Sequence, residues 1–294
     1  MKIQLNQPLD LTNTLNSGQA FRWEEHDGWH YGVIKENLVA LKQKDMELQV
    51  FSDDPHIPNS LDDVWEYLRL DDNILSIYSA INTDTTMDKA ISNYYGLRIL
   101  RQDPWECLVA FICSANSSVP RISSTMQSLA KQYGKPMQLG HHTSYTFPSP
   151  DTIAKAGEAN LRDLKLGFRA KYVHLASILV TDGTIDMEKL RLLDYEDAKS
   201  NLMSIPGVGH KVADCVLLFS LDKLDACPID RWVRRALESW YDIDESLQYN
   251  NIREWTLNKW GKYAGYAQQY LFHSGRLSGI QNKEFAKSNG VKRQ

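Results

Sequence analysis

The chain has 294 residues, of which 43% are hydrophobic and 24% are charged, and its formal net charge is −4. This composition is typical of a globular protein with an ample core, arranged as one large domain or two to three small ones. No apolar run approaches the roughly 20 residues of a membrane span, and the N-terminus lacks the apolar core of a signal peptide, so we expect an intracellular protein without a membrane partner. The four cysteines, at positions 107, 113, 215 and 227, form no C-x-x-C pair and are expected to be free thiols.

Residues 1–50 carry the signals of β-strands. Large apolar side chains alternate with polar ones on both sides of an Asp27-Gly28 turn and again further along the chain: Phe21, Trp23, Trp29, Tyr31 and Val33, then residues 38–41 and 46–51. The alternation predicts an antiparallel sheet with one buried face.

Helical patterns follow the sheet. A polar loop, 53–60, ends at Ser60, which is expected to cap a helix with apolar residues at helical spacing: Leu61, Val64, Trp65 and Leu68. The segment 71–91 is also predicted to be helical.

A stronger helix start lies at residues 103–106. Asp103 is an N-cap acid, Pro104 occupies the first helical position and Glu106 the third. From there helical patterns dominate to about residue 277, and the polar, basic tail 281–294 is expected to be frayed.

The stretch Ile205-Pro206-Gly207-Val208-Gly209 predicts a tight hairpin between two helices. Pro206 ends the first helix because it cannot donate a backbone hydrogen bond, while Gly207 and Gly209 can take positive φ and admit another molecule close to the backbone. The apolar run 212–219 predicts a buried second helix. The N–H groups and dipole at its N-terminus would form a site for one phosphate.

Two ionisable residues flank this hairpin. Lys211 lies at the mouth of the predicted phosphate site, and Asp230 follows 19 residues later, just past Pro228. The pattern brings one amine and one carboxylate to one place. Two simpler interpretations stay open: Lys211 as a further phosphate contact, and Asp230 as the N-cap of a helix that begins at Arg231.

The hairpin with Lys211 and Asp230 at this spacing resembles the helix-hairpin-helix, Gly/Pro-Asp superfamily of DNA glycosylases. Four more segments resemble, in the same order, its bifunctional branch, the 8-oxoguanine DNA glycosylases: SGQAFRW (17–23), RQDPWECLVAFICSAN (101–116), LGFRAKY (166–172) and YAGYAQQYLF (263–272). The resemblance runs along nearly the whole chain.

The resemblance implies an α+β fold in three parts. Residues 1–100 would form an N-terminal antiparallel sheet with helices, of the TBP-like type. Residues 101–280 would form an all-α helix-hairpin-helix glycosylase core, with a cleft between two helical subdomains, and residues 281–294 the polar basic tail.

The implied activity is that of a DNA N-glycosylase and abasic-site lyase in base excision repair. It would flip out 8-oxoguanine paired with cytosine and excise it through a lysine Schiff base followed by β-elimination. We expect a monomer whose partner is double-stranded DNA containing oxidised guanine, in the cytoplasm or nucleoid of a prokaryote or the nucleus of a eukaryote. Residues 1–100 hold 8 Lys and Arg against 16 Asp and Glu, and residues 101–294 hold 25 against 21, so DNA contact is expected mainly in the later part.

No cofactor is expected. Some relatives hold an iron–sulfur cluster on four closely spaced C-terminal cysteines, but no cysteine follows Cys227 here. Hairpin carbonyls in this superfamily can hold a monovalent cation. His141 and His142 lie in a polar loop without an acidic partner at metal-ligand spacing, so we expect no metal site there.

The resemblance assigns the residues of the lesion site. Lys211 would attack the sugar, and Asp230 would stabilise the positive charge that develops on it. The Gly18 carbonyl would accept the N7 hydrogen of the oxidised base, and Gln268 would bond its Watson–Crick edge. Phe272 and Cys215 would pack on opposite faces of that base. From the residues alone, Gly18 is a turn glycine, and Phe272 and Cys215 are core residues.

A second group matches the residues that read the unpaired cytosine. These are Asn116, Arg121 and Arg169, and Phe168 matches the wedge that fills the gap in the stack. The alternatives are a helix-end Asn, two solvated Arg side chains and a core Phe.

The chain also departs from the best-known relatives. Ser117 stands where they have a second Asn, and Arg231-Trp232 replace a small apolar residue and a phosphate-binding His. Whether Arg231 or Arg234 takes over that contact is left open. His210 is expected in solvent. The role of Asp214 is left open: it is either a helix-surface residue or a neighbour of Lys211.

Two rival functions stay open. One is a glycosylase for a different damaged base, such as an alkylated purine. The other is a non-catalytic DNA-binding protein that uses the hairpin only.

Overall fold

A computed structural model describes residues 1–52 and 60–278, with Ser60 described by its backbone alone. Residues 53–59 of the predicted loop, the predicted Ser60 cap and the predicted tail lie outside this description. The strands are β1 (Lys2–Gln4), β2 (Glu24–His26), β3 (Trp29–Ile34), β4 (Asn37–Lys44), β5 (Glu47–Ser52), β6 (Pro136–Leu139) and β7 (His142–Tyr145).

The helices account for most of the rest of the described chain. They are α1 (Leu11–Asn16), α2 (Ser60–Tyr67), α3 (Ile74–Ile81), α4 (Thr85–Asn93), α5 (Pro104–Cys113), α6 (Val119–Tyr133), α7 (Pro150–Leu161), α8 (Arg169–Thr181), α9 (Met187–Leu192), α10 (Tyr195–Met203), α11 (His210–Ser220), α12 (Arg231–Tyr241), α13 (Tyr249–Trp260) and α14 (Ala264–Leu277). A π-helical segment, Arg162–Leu166, and a 3₁₀ turn, Gly261–Tyr263, complete the order. The predicted α+β class is confirmed.

The N-terminal part forms the predicted antiparallel sheet, with five strands in the order β1-β5-β4-β3-β2. Asp27 and Gly28 turn β2 into β3, with φ of 53° and 73°, the conformation that tight hairpins favour. The predicted strand positions of Phe21 and Trp23 are wrong, because β2 starts at Glu24. Phe21 instead belongs to the core of the helical region, which draws the chain away from the sheet.

The sheet is covered on both faces, so the prediction of one buried face is wrong. One face packs with α1 and α2 around Ile34, Val39, Leu41, Leu48 and Val50. The other face packs against the β6–β7 hairpin in a small cluster of Leu38, Ala40 and Leu139, flanked by Trp29, Tyr31, Val33 and Met137. That hairpin lies in a region predicted to be helical. Strands of four residues depend on tertiary packing and leave little periodicity to detect.

The helical region is organised around α11, in which every residue from Val212 to Ser220 is buried. The helix packs on α5, which begins as predicted: Asp103 accepts a hydrogen bond from the N–H of Glu106 at 2.8 Å. Within residues 1–52 and 60–278, none of the helices combines the length and hydropathy needed to cross a bilayer.

Helices α3 and α4 lie early in the chain but share the core of the later helices. The hydroxyl groups of Tyr78 in α3 and Tyr270 in α14 are 2.8 Å apart, and Tyr266 of α14 donates to Asp72 at 2.7 Å. The predicted boundary at residue 100 remains a prediction, and the packing joins α3 and α4 to the helices that follow it.

One carboxylate links three distant parts of this fold. Asp222, in the loop after α11, forms ion pairs with Arg69 at 2.6 Å, Arg101 at 2.8 Å and Arg191 at 2.7 Å. Burial alone would raise the pKa of Asp222, but the three guanidinium groups outweigh it and lower that pKa to about 2. The ion pairs tie the end of α2, the segment before α5 and helix α9 to one loop.

We predict that Asp222→Asn lowers the free energy of unfolding at pH 7 by about 1–2 kcal/mol, a value reduced for the partial exposure of the carboxylate. Because the folded pKa lies below the unfolded value of about 3.9, the contribution is present above about pH 4 and is lost as the pH falls towards 2. Urea denaturation across this range should show wild type and variant converging. Asp45, in an exposed turn, has φ of 52° against 61° for Asp222, so Asp45→Asn is the control and should show no such convergence.

Candidate active site

The predicted hairpin connects α10 to α11, and its two glycines differ. Gly207 has φ of 86°, and a Cβ there would collide with the ring of Tyr172. Gly209 is extended, with φ of −99° and ψ of −177°, and does not use the positive φ that a glycine allows. The space beside Gly209 is open, however, and among the described residues no side chain caps α11. Its N-terminal N–H groups therefore face a region that an anion can enter.

Lys211 and Asp230 line the same cavity, which has a volume of about 370 Å³. The Nζ of Lys211 donates to the Oγ of Ser114 at 3.0 Å and lies 4.9 Å from the ring centre of Phe111. The two residues that the sequence separates by 19 positions thus meet at one site, as the pattern predicts.

Asp230 is both an N-cap and a cavity residue. Its Oδ1 accepts the N–H groups of Trp232 and Val233 at 2.8 and 2.9 Å. Its Oδ2 has no partner within the described chain. The cap therefore fixes the carboxylate and leaves one oxygen available in the cavity. The two interpretations of this residue, cap and catalytic acid, are compatible.

The four residues expected around the base line this cavity too: Gly18, Cys215, Gln268 and Phe272. Gln268 is 4% exposed, and its buried Oε1 has no partner in the described part of the protein. An unpaired buried amide oxygen is costly, so this atom is placed to accept a hydrogen bond from a group that enters the cavity. Burial raises the pKa of Cys215 to about 12, which keeps its thiol neutral beside Lys211.

Gly18 is required at its position by two constraints. Its φ is 76°, and a Cβ there would lie 3.0 Å from the ring of Phe272. The turn is held by buried glutamines that the sequence did not reveal as site residues. Gln269 donates to the Ser17 carbonyl at 3.0 Å, and Gln19 donates to Arg98 at 2.8 Å while accepting from Leu100 at 2.8 Å.

The residues expected to read the opposite base form a separate group outside this cavity. Arg169 donates to the Asn116 carbonyl at 2.9 Å, and its guanidinium lies 4.5 Å from the ring centre of Phe168. Phe168 is 50% exposed, which contradicts a core role, and Arg169 is buried, which contradicts a solvated one. Burial and the nearby charge of Arg121 lower the pKa of Arg169.

The two arginines left open by the sequence differ in their surroundings. The guanidinium of Arg234 donates hydrogen bonds to the carbonyls of Glu245 at 3.2 Å and Leu247 at 2.8 Å. Arg231 is exposed and lines the cavity, where Ser117 also lies. Arg231 is therefore the arginine placed to meet a ligand.

His210 differs from its expected position in solvent, and the structure gives a position for Asp214, which the sequence left open. His210 is half-buried and stacks on Tyr249, with ring centres 5.2 Å apart. Asp214 is fully buried and accepts hydrogen bonds from Tyr195 at 2.6 Å, Lys199 at 3.1 Å and Tyr249 at 2.5 Å. It is thus a buried anchor rather than a surface residue.

Tyr249 connects the buried Asp214 to the segment that precedes Asp230. Its hydroxyl donates to Asp214 on α11 and accepts the N–H of Ile229 at 3.3 Å. Ile229 immediately precedes Asp230. A single hydroxyl therefore links the helix that carries Lys211 to the segment that places Asp230.

We predict that Tyr249→Phe lowers the free energy of unfolding by about 1–3 kcal/mol, because it removes a donor from a buried carboxylate and leaves a buried N–H unpaired. The midpoint of urea denaturation, followed by circular dichroism, measures this loss. Tyr95→Phe, at an exposed tyrosine, is the control and should change stability by less than about 0.5 kcal/mol. Equal effects of both changes would contradict the linking role.

The fold and the cavity define a class: a helix-hairpin-helix protein that presents an amine and a helix-capping carboxylate beside the N-terminus of α11, which no described side chain caps. Comparison with known proteins agrees with this class. Residues 2–108 match the family described as 8-oxoguanine DNA glycosylase, N-terminal domain, and residues 109–262 match the HhH-GPD superfamily of base excision DNA repair proteins.

Individual relatives match along most of the chain. The N-glycosylase/DNA lyase of Saccharomyces cerevisiae is 32% identical, over 92% of this chain and 85% of its own. The structure of MBOgg1 in complex with a low-affinity DNA ligand is 34% identical, with a TM-score of 0.90 over 95% of this chain and 96% of its own. A third relative is the Clostridium acetobutylicum 8-oxoguanine glycosylase/lyase, solved in complex with double-stranded DNA that contains cytosine opposite 8-oxoguanine. It is 30% identical, with a TM-score of 0.88 over 93% of this chain and 94% of its own.

The chain belongs to the HhH-GPD superfamily and, within it, to the family of 8-oxoguanine N-glycosylase/DNA lyases.

Proposed function

We propose that this protein is a bifunctional DNA N-glycosylase and abasic-site lyase that excises 8-oxoguanine paired with cytosine in base excision repair. The observation that carries the proposal is the meeting of Lys211 and Asp230 in one cavity beside the hairpin. Family membership supports the same activity.

The chemistry begins with Lys211. Its amine attacks C1′ of the flipped nucleotide as the bond from C1′ to the base breaks, and the base leaves with the bonding electron pair and takes up the proton that the amine gives up. Positive charge develops on the sugar, and the free Oδ2 of Asp230 stabilises it. Opening of the sugar ring gives a Schiff base, and loss of a 2′ proton then expels the 3′ phosphate by β-elimination. Hydrolysis of the imine releases the lysine.

We predict that borohydride added during reaction with duplex DNA containing 8-oxoguanine traps a covalent protein–DNA adduct, because it reduces the imine to a stable amine. Lys211→Gln should abolish the adduct and slow base release by at least about 100-fold. Lys89→Gln, an exposed lysine on α4, should trap as wild type does.

This experiment also tests the rival functions. A non-catalytic DNA-binding protein gives no base release and no adduct, even from the wild type. A glycosylase for alkylated purines releases those bases in preference to oxidised guanine. An adduct that persists in Lys211→Gln would contradict the assignment of the nucleophile.

Recognition of the base is proposed to rest on Gln268, Gly18, Phe272 and Cys215. The buried, unpaired Oε1 of Gln268 needs a donor, and the Watson–Crick edge of a flipped purine supplies one. The Gly18 carbonyl would accept the N7 hydrogen that distinguishes oxidised guanine from guanine. Phe272 and the neutral thiol of Cys215 would pack on the two faces of the ring.

We predict that Gln268→Ala lowers the single-turnover rate of 8-oxoguanine release by roughly 10- to 100-fold, the equivalent of one or two buried hydrogen bonds. Cleavage of a preformed abasic site should change by less than threefold, because no base is present to be read. Gln138→Ala, at an exposed position of strand β6, is the matched control. Equal losses in both assays would indicate structural damage instead of lost base recognition.

On the opposite strand, we propose that Phe168 inserts into the gap left by the flipped nucleotide. Its 50% exposure fits a side chain that is buried only when DNA is bound. Asn116, Arg121 and Arg169 would then read the cytosine. Arg169 also holds the Asn116 carbonyl, so it shapes the reading loop as well as contacting the base.

The phosphates flanking the lesion are proposed to bind at two places. The backbone of Gly207, Val208 and Gly209 would hold one, and Arg231 would contact another in place of the family histidine. A monovalent cation on the hairpin carbonyls remains a prediction. All the proposed groups come from one chain, so we propose that the protein acts as a monomer in the compartment that holds the DNA.

A further inference from the structure

A cluster of metal-ligating side chains lies outside the lesion site, at the edge of the sheet. Glu24 and His26 are two residues apart on β2, so their side chains project from the same face of the strand. β2 is an edge strand, and both side chains are exposed.

The third member comes from a distant part of the chain. His142, on β7, lies with its Nε2 4.0 Å from the Oε2 of Glu24, while the Nε2 of His26 lies 3.6 Å from the same oxygen. The three ligand atoms lie within 4.8 Å of one another. The sequence shows no acidic partner for the histidine pair 141–142 at metal-ligand spacing, and the fold brings Glu24 to His142 across more than a hundred residues.

Two neighbours orient this cluster. Gln127 on α6 donates to the Oε1 of Glu24 at 2.8 Å, which leaves Oε2 directed at the two imidazoles. Tyr31 stacks on His142, with ring centres 4.3 Å apart and an interplanar angle of 26°. Outer contacts of this kind commonly fix the first ligands of a metal site.

The geometry is close to what a tetrahedral metal requires. Bonds of about 2.0–2.1 Å place neighbouring ligands about 3.3 Å apart. The ligand atoms lie up to 4.8 Å apart, and the exposed side chains of Glu24 and His26 can close this gap towards the half-buried His142. Two imidazole nitrogens and one carboxylate oxygen are ligands that zinc accepts, and they leave a fourth position for water.

We propose that Glu24, His26 and His142 form a zinc site that fastens the β6–β7 hairpin to the edge of the sheet. The hairpin reaches the sheet through a small apolar cluster centred on Leu139. An ion held by both partners adds a bond between β2 and β7, which lie more than a hundred residues apart in the chain. The site shares no lining residue with the Lys211 cavity, so its role is structural.

Zinc binding by the full chain tests the proposal directly. The chain is stripped with chelator, freed of any histidine tag and titrated with ZnCl₂ by calorimetry. We expect one zinc per chain with a dissociation constant of about 10 μM or tighter. His26→Ala, Glu24→Gln and His142→Ala should each weaken binding at least tenfold.

Two further variants sharpen the assignment. His141→Ala is the matched control, because this exposed neighbour is not part of the cluster, and its affinity should equal that of wild type. Gln127→Ala should weaken binding by about tenfold through loss of the orienting hydrogen bond. His142→Ala loses the stacking contact with Tyr31 and could fail to fold for that reason. In that case the zinc affinities of His26→Ala and Glu24→Gln, at exposed positions, test the proposal.

Cobalt provides a second readout at the same site. Co²⁺ in a tetrahedral site of nitrogen and oxygen ligands absorbs in the visible range, and this band should be lost in His26→Ala. Saturating zinc should also raise the melting temperature of wild type and His141→Ala but not of Glu24→Gln.

The absence of stoichiometric zinc binding in the wild type would overturn the proposal, as would undiminished binding in all three ligand variants. None of these readouts uses base release, so the outcome is independent of the proposed glycosylase activity.

Discussion

The site depends on the capping of α12 by Asp230. One carboxylate oxygen accepts two backbone N–H groups, and this contact orients the other oxygen towards the cavity that Lys211 lines. A free aspartate in a loop would have several rotamers, whereas the cap selects one. The same contact that begins a helix therefore places the carboxylate in the cavity that Lys211 also lines, and the hydrogen bonds of Tyr249 join the segment before Asp230 to Asp214 on α11.

The lesion pocket is shared between the ends of the chain. Gly18 comes from the turn after α1, and Gln268 and Phe272 come from α14, the last described helix. Gln269 donates to the Ser17 carbonyl and thereby ties these two parts together. A pocket built in this way requires the turn after α1 to pack against α14.

The sheet and the helical region meet along a polar and apolar seam. Arg22 illustrates it: the guanidinium pairs with Glu106 at the start of α5 and also donates to the Tyr145 carbonyl at the end of β7. Beside it lie the small cluster around Leu139 and the candidate zinc ligands. The β6–β7 hairpin, although inserted among helices, therefore serves to close the outer face of the sheet.

The sequence by itself determined the elements with strong local signals. The hairpin glycines, the Asp103 cap and the apolar run of α11 each have a physical cause within a few residues, and the spacing of Lys211 and Asp230 was visible without coordinates. Other features depend on residues far apart in the chain. The burial of Asp214, the stack of His210 on Tyr249, the short strands β6 and β7 and the approach of Glu24 to His142 arise from packing between distant segments. Local sequence patterns do not specify contacts between distant residues, so only the tertiary structure decided them.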